Sequence, residues 1–224
     1  MTGDVHAVLF DADGTLVDNN YLHTVAWWEA FVQAGHDVPM ARIHRAIGMG
    51  SGQLLDTLLP AGRDTAADPA ISAAHAALYS VYWSRLRALP GAAALLRACR
   101  AQGLQVILAS SAPPRELNVV RAALDADDAI TAATSSGDAG AAKPEPDLIL
   151  LALEKAEVAA AQAVFVGDSV WDARACRRAG VSCIGVLSGG TSERELRDAG
   201  AVRVYDDAAQ ILAAFPASIT GPAR

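Results

Sequence analysis

Short apolar runs alternate with helical patterns along most of this chain, and that alternation constrains the fold more than any other feature. The runs are Val5 to Phe10, Leu104 to Ala109, Ile130 to Thr134, Ala163 to Val166 and Val181 to Leu187. Helical patterns lie between them at about Ala92 to Gln102, Pro114 to Leu124, Pro146 to Lys155 and Trp171 to Ala179. Strands that alternate with helices build a parallel sheet covered on both faces, and ligands then gather at the carboxyl ends of the strands. Residues 17–88 break the pattern. They hold only helical stretches, separated by Gly35, Gly48 to Gly52, Pro60 to Gly62 and Asp68-Pro69. Asp68 as a cap with Pro69 in the first turn predicts a long helix to about Ala88. The expected architecture is α/β: a Rossmann-like parallel-sheet core over 1–16 and 89–215, with an all-α cap domain over 17–88. The crossings between the two fall near Gly14 and at Pro90-Gly91, and 216–224, with its Ser, Gly and Pro, is expected to be a flexible tail.

Two carboxylates, Asp11 and Asp13, follow directly on the first apolar run. Side chains two apart on a strand point to the same side, so both acids emerge together at its end. Such a pair binds a divalent cation through hard oxygens, or divides labour between a nucleophile and a general acid/base. An Asp-rich Gly turn after a strand reads equally well from these residues alone. Other parts of the chain favour the chemical reading. Ser110 and Asp168 each close a later run, Lys143 opens Lys-Pro-Glu-Pro-Asp, and Asp172 lies four residues beyond Asp168. All can converge on one crevice.

Composition narrows the classes. The chain has 224 residues, enough for one domain with an insertion. Its net charge of −7 and sequence pI near 5.1 give no attraction for nucleic acid, so an anionic substrate must be held locally. Of 18 cationic residues only Lys143 and Lys155 are lysines, which marks Lys143 as a position where a compact ammonium is needed. Cys99, Cys176 and Cys183 are odd in number and widely spaced, so neither a disulfide framework nor a metal knuckle is indicated. No basic leader or membrane-length apolar segment is present, and a cytoplasmic monomer or weak homodimer, without nucleic-acid or membrane partners, is expected.

The motifs around Asp11, Ser110, Lys143 and Asp168, in that order and spacing, resemble the four signature motifs of the haloacid dehalogenase superfamily, mostly phosphatases and related phosphoryl-transfer enzymes. The resemblance spans Val5 to about Leu187. It implies that Asp11 attacks phosphorus to form an aspartyl phosphate and that Asp13 acts as acid, then base. For that role Asp13 should be raised by neighbouring negative charge. It also implies Mg2+ held by Asp11, the Asp13 carbonyl and Asp168, with Lys143 beside the nucleophile. Ser110 and the Ser111 N–H bind the phosphoryl group, and Asp172 orients Lys143 or a metal-bound water. In the cap, His23 and Trp27 share a helix face and resemble positions in β-phosphoglucomutases and sugar-phosphate phosphatases. Gly48 to Gly52 resembles their substrate loop, which brings in Gly50 and Ser51. Arg42, His44, Arg45 and Arg63 are further candidate contacts. The implied activity is hydrolysis of a small phosphomonoester, a sugar phosphate or phosphoglycolate. The alternatives are a β-phosphoglucomutase-like isomerase, weakened because the loop lacks the arginine for a second phosphate, and a non-catalytic binding protein that keeps the fold.

Overall fold

The computed structural model describes residues 4–138 and 142–221. The strands are β1 (Ala7–Phe10), β2 (Gln105–Ala109), β3 (Ala132–Thr134), β4 (Ala163–Gly167), β5 (Ser182–Val186) and β6 (Ala201–Tyr205), paired in parallel in the order β3-β2-β1-β4-β5-β6. Parallel strands need covering on both faces, and the side-chain alternation shows it. Val8 and Phe10 enter one cluster with Val106, Leu108, Val164 and Val166, beneath helices α5 (Ala92–Ala101) and α6 (Pro114–Leu124). Ala7 and Leu9 enter the other with Ile107 and Phe165, beneath α7 (Asp147–Ala156) and α8 (Val170–Ala179). Strand order reverses at β1, so the crevice of an open α/β sheet opens beyond its carboxyl end, where Asp11 lies.

Between β1 and α5 the described chain is helical: α1 (Asn20–Gln33), α2 (Met40–Ala46), α3 (Ser51–Leu58) and α4 (Asp68–Ser80) share a separate cluster containing Trp27, Phe31, Ile43 and Leu55. The two crossing segments run side by side. Val17 bridges Ala88 in antiparallel fashion, Asp18 N–H donates to the Arg87 carbonyl at 3.1 Å and Leu89 N–H to Leu16 at 2.8 Å. That pairing explains why the helix expected to reach Ala88 stops at Ser80. The chain tightens into a 3-10 turn at Trp83–Arg85 and becomes extended at Leu86 in time to meet Val17. Asp68 does not cap the helix either. It is the first helical residue, and its carboxylate takes the Arg63 guanidinium at 2.6 Å.

The C-terminal part holds elements not anticipated from sequence: α9 (Glu193–Ala199), β6, α10 (Ala208–Ala213) and α11 (Ala217–Thr220). Residues 217–221, expected to fray, are packed. Ile219 is buried in the core, Ser218 Oγ donates to the Ile211 carbonyl at 2.8 Å, and the Arg203 guanidinium donates to the carbonyls of Ala217 at 3.0 Å and Ser218 at 2.5 Å. An arginine on the last strand thus satisfies the carbonyls that a short terminal helix leaves open. Residues 222–224 lie outside the described residues.

Candidate active site

The sheet delivers four distant acidic and basic side chains to one point. Lys143 is fully buried, and its Nζ lies 2.5 Å from Asp11 Oδ1 and 2.8 Å from Asp172 Oδ1. Thr15 Oγ1 reaches both Asp11 Oδ2, at 3.3 Å, and Asp168 Oδ1, at 3.1 Å. Asn20 Nδ2 donates to Asp168 Oδ2 at 2.8 Å. Asp172 is fixed by the start of α8. Ser169 N–H and Oγ donate to its Oδ2 at 3.1 Å and 2.6 Å, and its own N–H donates back to Ser169 Oγ at 3.2 Å, a capping box that leaves Oδ1 for Lys143. The turn after β1 can bend there because Gly14 has φ +74°, and a Cβ on it would fall 2.7 Å from Asp168 Oδ2.

Burial pushes the Asp11 carboxyl up to about 7, the Lys143 ammonium opposing the rise and Asp172 and Asp13 adding to it. Burial, and then Asp11 and Asp172, hold Asp168 well above the usual carboxylate range. Burial alone would depress Lys143, yet the two carboxylates it touches raise it above the ordinary lysine value. Carboxylate oxygens of Asp11, Asp168 and Asp172 lie within 4.8 Å of one another. Three buried hard-oxygen donors against one ammonium leave negative charge uncompensated, and that donor set fits a hard divalent cation.

Asp13 opens on the same cavity as Asp11 but has a different set of partners. Its Oδ1 accepts a short hydrogen bond from Asn19 Nδ2 and lies 3.8 Å from His23 Nε2, while Asn19 Oδ1 accepts from Gly14 N–H at 3.2 Å. Burial pushes Asp13 up, but the His23 ring and the Asn19 carboxamide outweigh it and hold the carboxyl below its ordinary value. The expected rise of Asp13 is therefore corrected: its near neighbours are donors, not anions. His23 Nδ1 is 3.2 Å from His75 Nε2, and the His23 ring stacks on Tyr79 at 3.8 Å between centroids. Burial, with His23 adding to it, lowers His75 to about 2, so it stays neutral.

A cavity of about 240 Å³ opens on Asp11 and Asp13 and runs between the sheet edge and helices α1, α3 and α4. Of the residues expected to bind substrate, Ser51, Ser111 and His23 line it. Gly50 does not: it packs against Ala142, next to Lys143. Ser110 is fully buried, with its Oγ accepting from Ala112 N–H at 3.0 Å, and α6 begins only at Pro114, so it does not cap that helix. Ser111 Oγ donates to the Gly48 carbonyl at 3.3 Å, tying the loop after β2 to the glycine loop before α3. Arg42, His44, Arg45 and Arg63 stay out of the cavity. Arg45 pairs with Glu195, Arg63 with Asp56 and Asp68, and His44 Nε2 sits 3.0 Å from the Gly189 carbonyl. Sequence reading missed Asn19, Asn20, His75 and Glu116. Only Asn19-Asn20, a polar pair opening an apolar helix, carried a signal, and helix capping would have been the natural inference from it.

Fold and site define a Rossmann-like α/β enzyme with a buried acidic centre. The chain matches the haloacid dehalogenase-like hydrolase family over residues 5–180 and belongs to it. A phosphoglycolate phosphatase of Rhodospirillum rubrum is 29% identical over 214 residues, covering 92% of this chain and 88% of that protein. The chloroplastic protein SUPPRESSOR OF QUENCHING 1 of Arabidopsis thaliana is 29% identical over 93% of this chain, which spans only 20% of that longer protein. Among solved structures, a hydrolase from Pseudomonas syringae has a TM-score of 0.89 at 34% identity, covering 93% of this chain and 97% of that one. β-Phosphoglucomutases share the fold. No helix among the described residues is long and apolar enough to cross a membrane.

Proposed function

We propose that the protein is a magnesium-dependent phosphatase of small phosphomonoesters that works through an aspartyl phosphate. The observation that carries this reading is Lys143 Nζ held between Asp11 and Asp172 at 2.5 Å and 2.8 Å, with Thr15 linking Asp11 to Asp168. In it, an oxygen of Asp11 attacks phosphorus and the ester P–O bond breaks. Asp13 gives its proton to the departing alkoxide, then takes one from the water that hydrolyses the acyl phosphate, releasing phosphate and restoring Asp11. The arriving phosphoryl dianion is what raises Asp13 toward the protonated form this requires. Lys143 fixes the Asp11 rotamer and adds positive charge where phosphoryl oxygens gather. Asp172 and Ser169 hold Lys143 in turn. The Ser111 N–H, just before α6, is the donor assigned to the phosphoryl group; Ser110 supports that loop. Magnesium, held by the carboxylates of Asp11 and Asp168 and the carbonyl of Asp13, would neutralise phosphate charge and orient the group. Residues 17–88 act as a cap over the core formed by 1–16 and 89–215, and exclude water from the cavity.

Kinship with phosphoglycolate phosphatases supports the phosphomonoester class. The test is release of p-nitrophenol from p-nitrophenyl phosphate with and without Mg2+. Metal-dependent turnover that Asp11→Asn abolishes is expected. No metal-dependent release, or an Asp11→Asn variant as active as the parent, overturns the reading.

A further inference from the structure

Beyond the phosphoryl-binding end, the cavity wall is built from His23, Trp27, Ser51, Ser72, His75 and Glu116. Neither lysine nor arginine lines it among the described residues. The nearby arginines are engaged elsewhere: Arg63 between Asp56 at 2.7 Å and Asp68 at 2.6 Å, Arg45 with Glu195, and Arg115 over the Trp83 ring at 4.9 Å. His75 adds no charge, since burial keeps it neutral.

Glu116 is the unexplained group in this wall. An acid in the first turn of a helix ordinarily gains from the helix dipole while remaining solvated. Glu116, in the first turn of α6, is only 6% exposed, lines the cavity and has no side-chain hydrogen-bond partner among the described residues. Its carboxylate oxygens keep accessible surface in the cavity rather than being sealed off, so a ligand donor can reach them. We propose that Glu116 is a specificity-determining residue that restricts the enzyme to phosphomonoesters of uncharged, hydroxyl-bearing carbon skeletons and excludes those carrying a carboxylate or a second phosphate. This rests on the phosphatase reading above. With the phosphoryl group at Asp11 and Asp13, the organic part must extend along the remaining wall. A substrate hydroxyl there donates to Glu116 and accepts from Ser51 or Ser72, with the Trp27 ring as an apolar side. A carboxylate there meets Glu116 and Asp13 with no lysine or arginine to offset it. Burial and Asp13 already raise the Glu116 carboxyl, with His23 opposing, and a further anion can only add to that cost.

The experiment compares kcat/KM at mildly alkaline pH with saturating Mg2+ for glycerol phosphate, the matching phosphoglycerate and phosphoglycolate. The first pair differs only in a terminal hydroxymethyl against a carboxylate. The wild type is expected to favour glycerol phosphate over both carboxylates by about tenfold or more, the scale of one like-charge contact in a partly desolvated site. Glu116→Gln is expected to shrink that ratio by about tenfold. A wild type that hydrolyses phosphoglycolate at least as well as glycerol phosphate, or a ratio unchanged in Glu116→Gln, overturns the proposal. If Glu116→Gln does not fold, Glu116→Ala is read in the same way, and the wild-type ranking decides without either. Failure of the phosphatase reading looks different, because the wild type would then release nothing from p-nitrophenyl phosphate.

Discussion

Gly189→Ala offers a sharp test of the acidic centre, since it replaces none of the residues singled out by sequence. Gly189 ends the 3-10 turn after β5. A Cβ on it would lie 1.6 Å from Asp168 Oδ2, 2.4 Å from its Cγ and 2.7 Å from its Cβ. Because the Asp168 Cβ is also too close, rotating the carboxylate cannot clear the clash. Real Cβ contacts essentially never fall under 3.0 Å, so turn and carboxylate must separate by the difference between 3.0 Å and 1.6 Å, about 1.4 Å. Asp168 is 3% exposed and held by Asn20 and Thr15, while the turn is held by Ser188 Oγ donating to the Gly14 carbonyl at 2.7 Å. Either response therefore disturbs the centre. A misplacement of about 1 Å near the chemistry costs on the order of 10²-fold, and overpacking costs about 1–3 kcal/mol of stability.

The assay is Mg2+-dependent hydrolysis of p-nitrophenyl phosphate, read as kcat/KM and as the Mg2+ concentration giving half-maximal rate, alongside thermal unfolding. Gly189→Ala is expected to lose about 10²-fold in kcat/KM and to need about tenfold or more Mg2+. Gly52→Ala is the control. Gly52 lies inside α3 with nothing within 4 Å of a Cβ, and alanine there should stabilise by about 0.5–1 kcal/mol. A Gly189→Ala protein with wild-type kcat/KM and Mg2+ requirement would refute the assignment of Asp168 to the metal.

Two further substitutions probe the fold. Lys143→Met removes the ammonium that faces Asp11 and Asp172, and urea unfolding of the metal-free protein should show a loss of about 3–5 kcal/mol, the scale for stripping one partner from a buried pair. A loss below about 1 kcal/mol would mean that the carboxylates do not depend on it. Ile219→Ala should cost about 2–4 kcal/mol in the same experiment, since Ile219 is 1% exposed in the core; a neutral result would return residues 217–221 to a frayed tail.

How far the sequence was legible follows from how local each signal is. Strands β1, β2 and β4 read as continuous apolar runs because both their faces are buried, as Ala7 and Leu9 against Val8 and Phe10 show. Strand β6 escaped because it is an edge strand, Ala-Val-Arg-Val-Tyr, mostly half-buried, whose Arg203 serves the terminal helix. Asp11 and Asp168 were readable because each follows a strand, Lys143 because it opens a loop, and Asp172 because it falls four residues beyond Asp168. Asn20 reaches Asp168 across 148 residues and Glu116 reaches the cavity from a helix start, so nothing within a short window announces either. Two cap arginines misled for the opposite reason: local charge suggested an anion site, while Glu195 had already claimed Arg45 and Asp56 and Asp68 had claimed Arg63.

The pairing of Asp11 with Asp13 carries the last consequence. A spacing of two residues sends both to one cavity, yet their neighbours push them apart, Asp11 up to about 7 and Asp13 below its ordinary value. Environments that separate two acids usually assign their roles. Under the proposed mechanism the metal-free protein has them reversed, since there Asp11 must be ionised to attack and Asp13 protonated to donate. A divalent cation beside Asp11 favours its ionised form, and a phosphoryl dianion beside Asp13 favours the protonated one. Stability should record the first of these. Asp11 is raised from 3.8 in the unfolded chain to about 7 in the fold, so its stabilising contribution is full below about 3.8 and is lost as pH rises through about 7. The loss runs at about 1.4 kcal/mol per pH unit over that window. Cation binding opposes it, so the rise in unfolding temperature on adding Mg2+ should be larger near about pH 8 than near about pH 5.5, and the acidic limb of kcat/KM should move to lower pH as Mg2+ is raised. An equal Mg2+ effect at both pH values would show that Asp11 is not the group the cation meets.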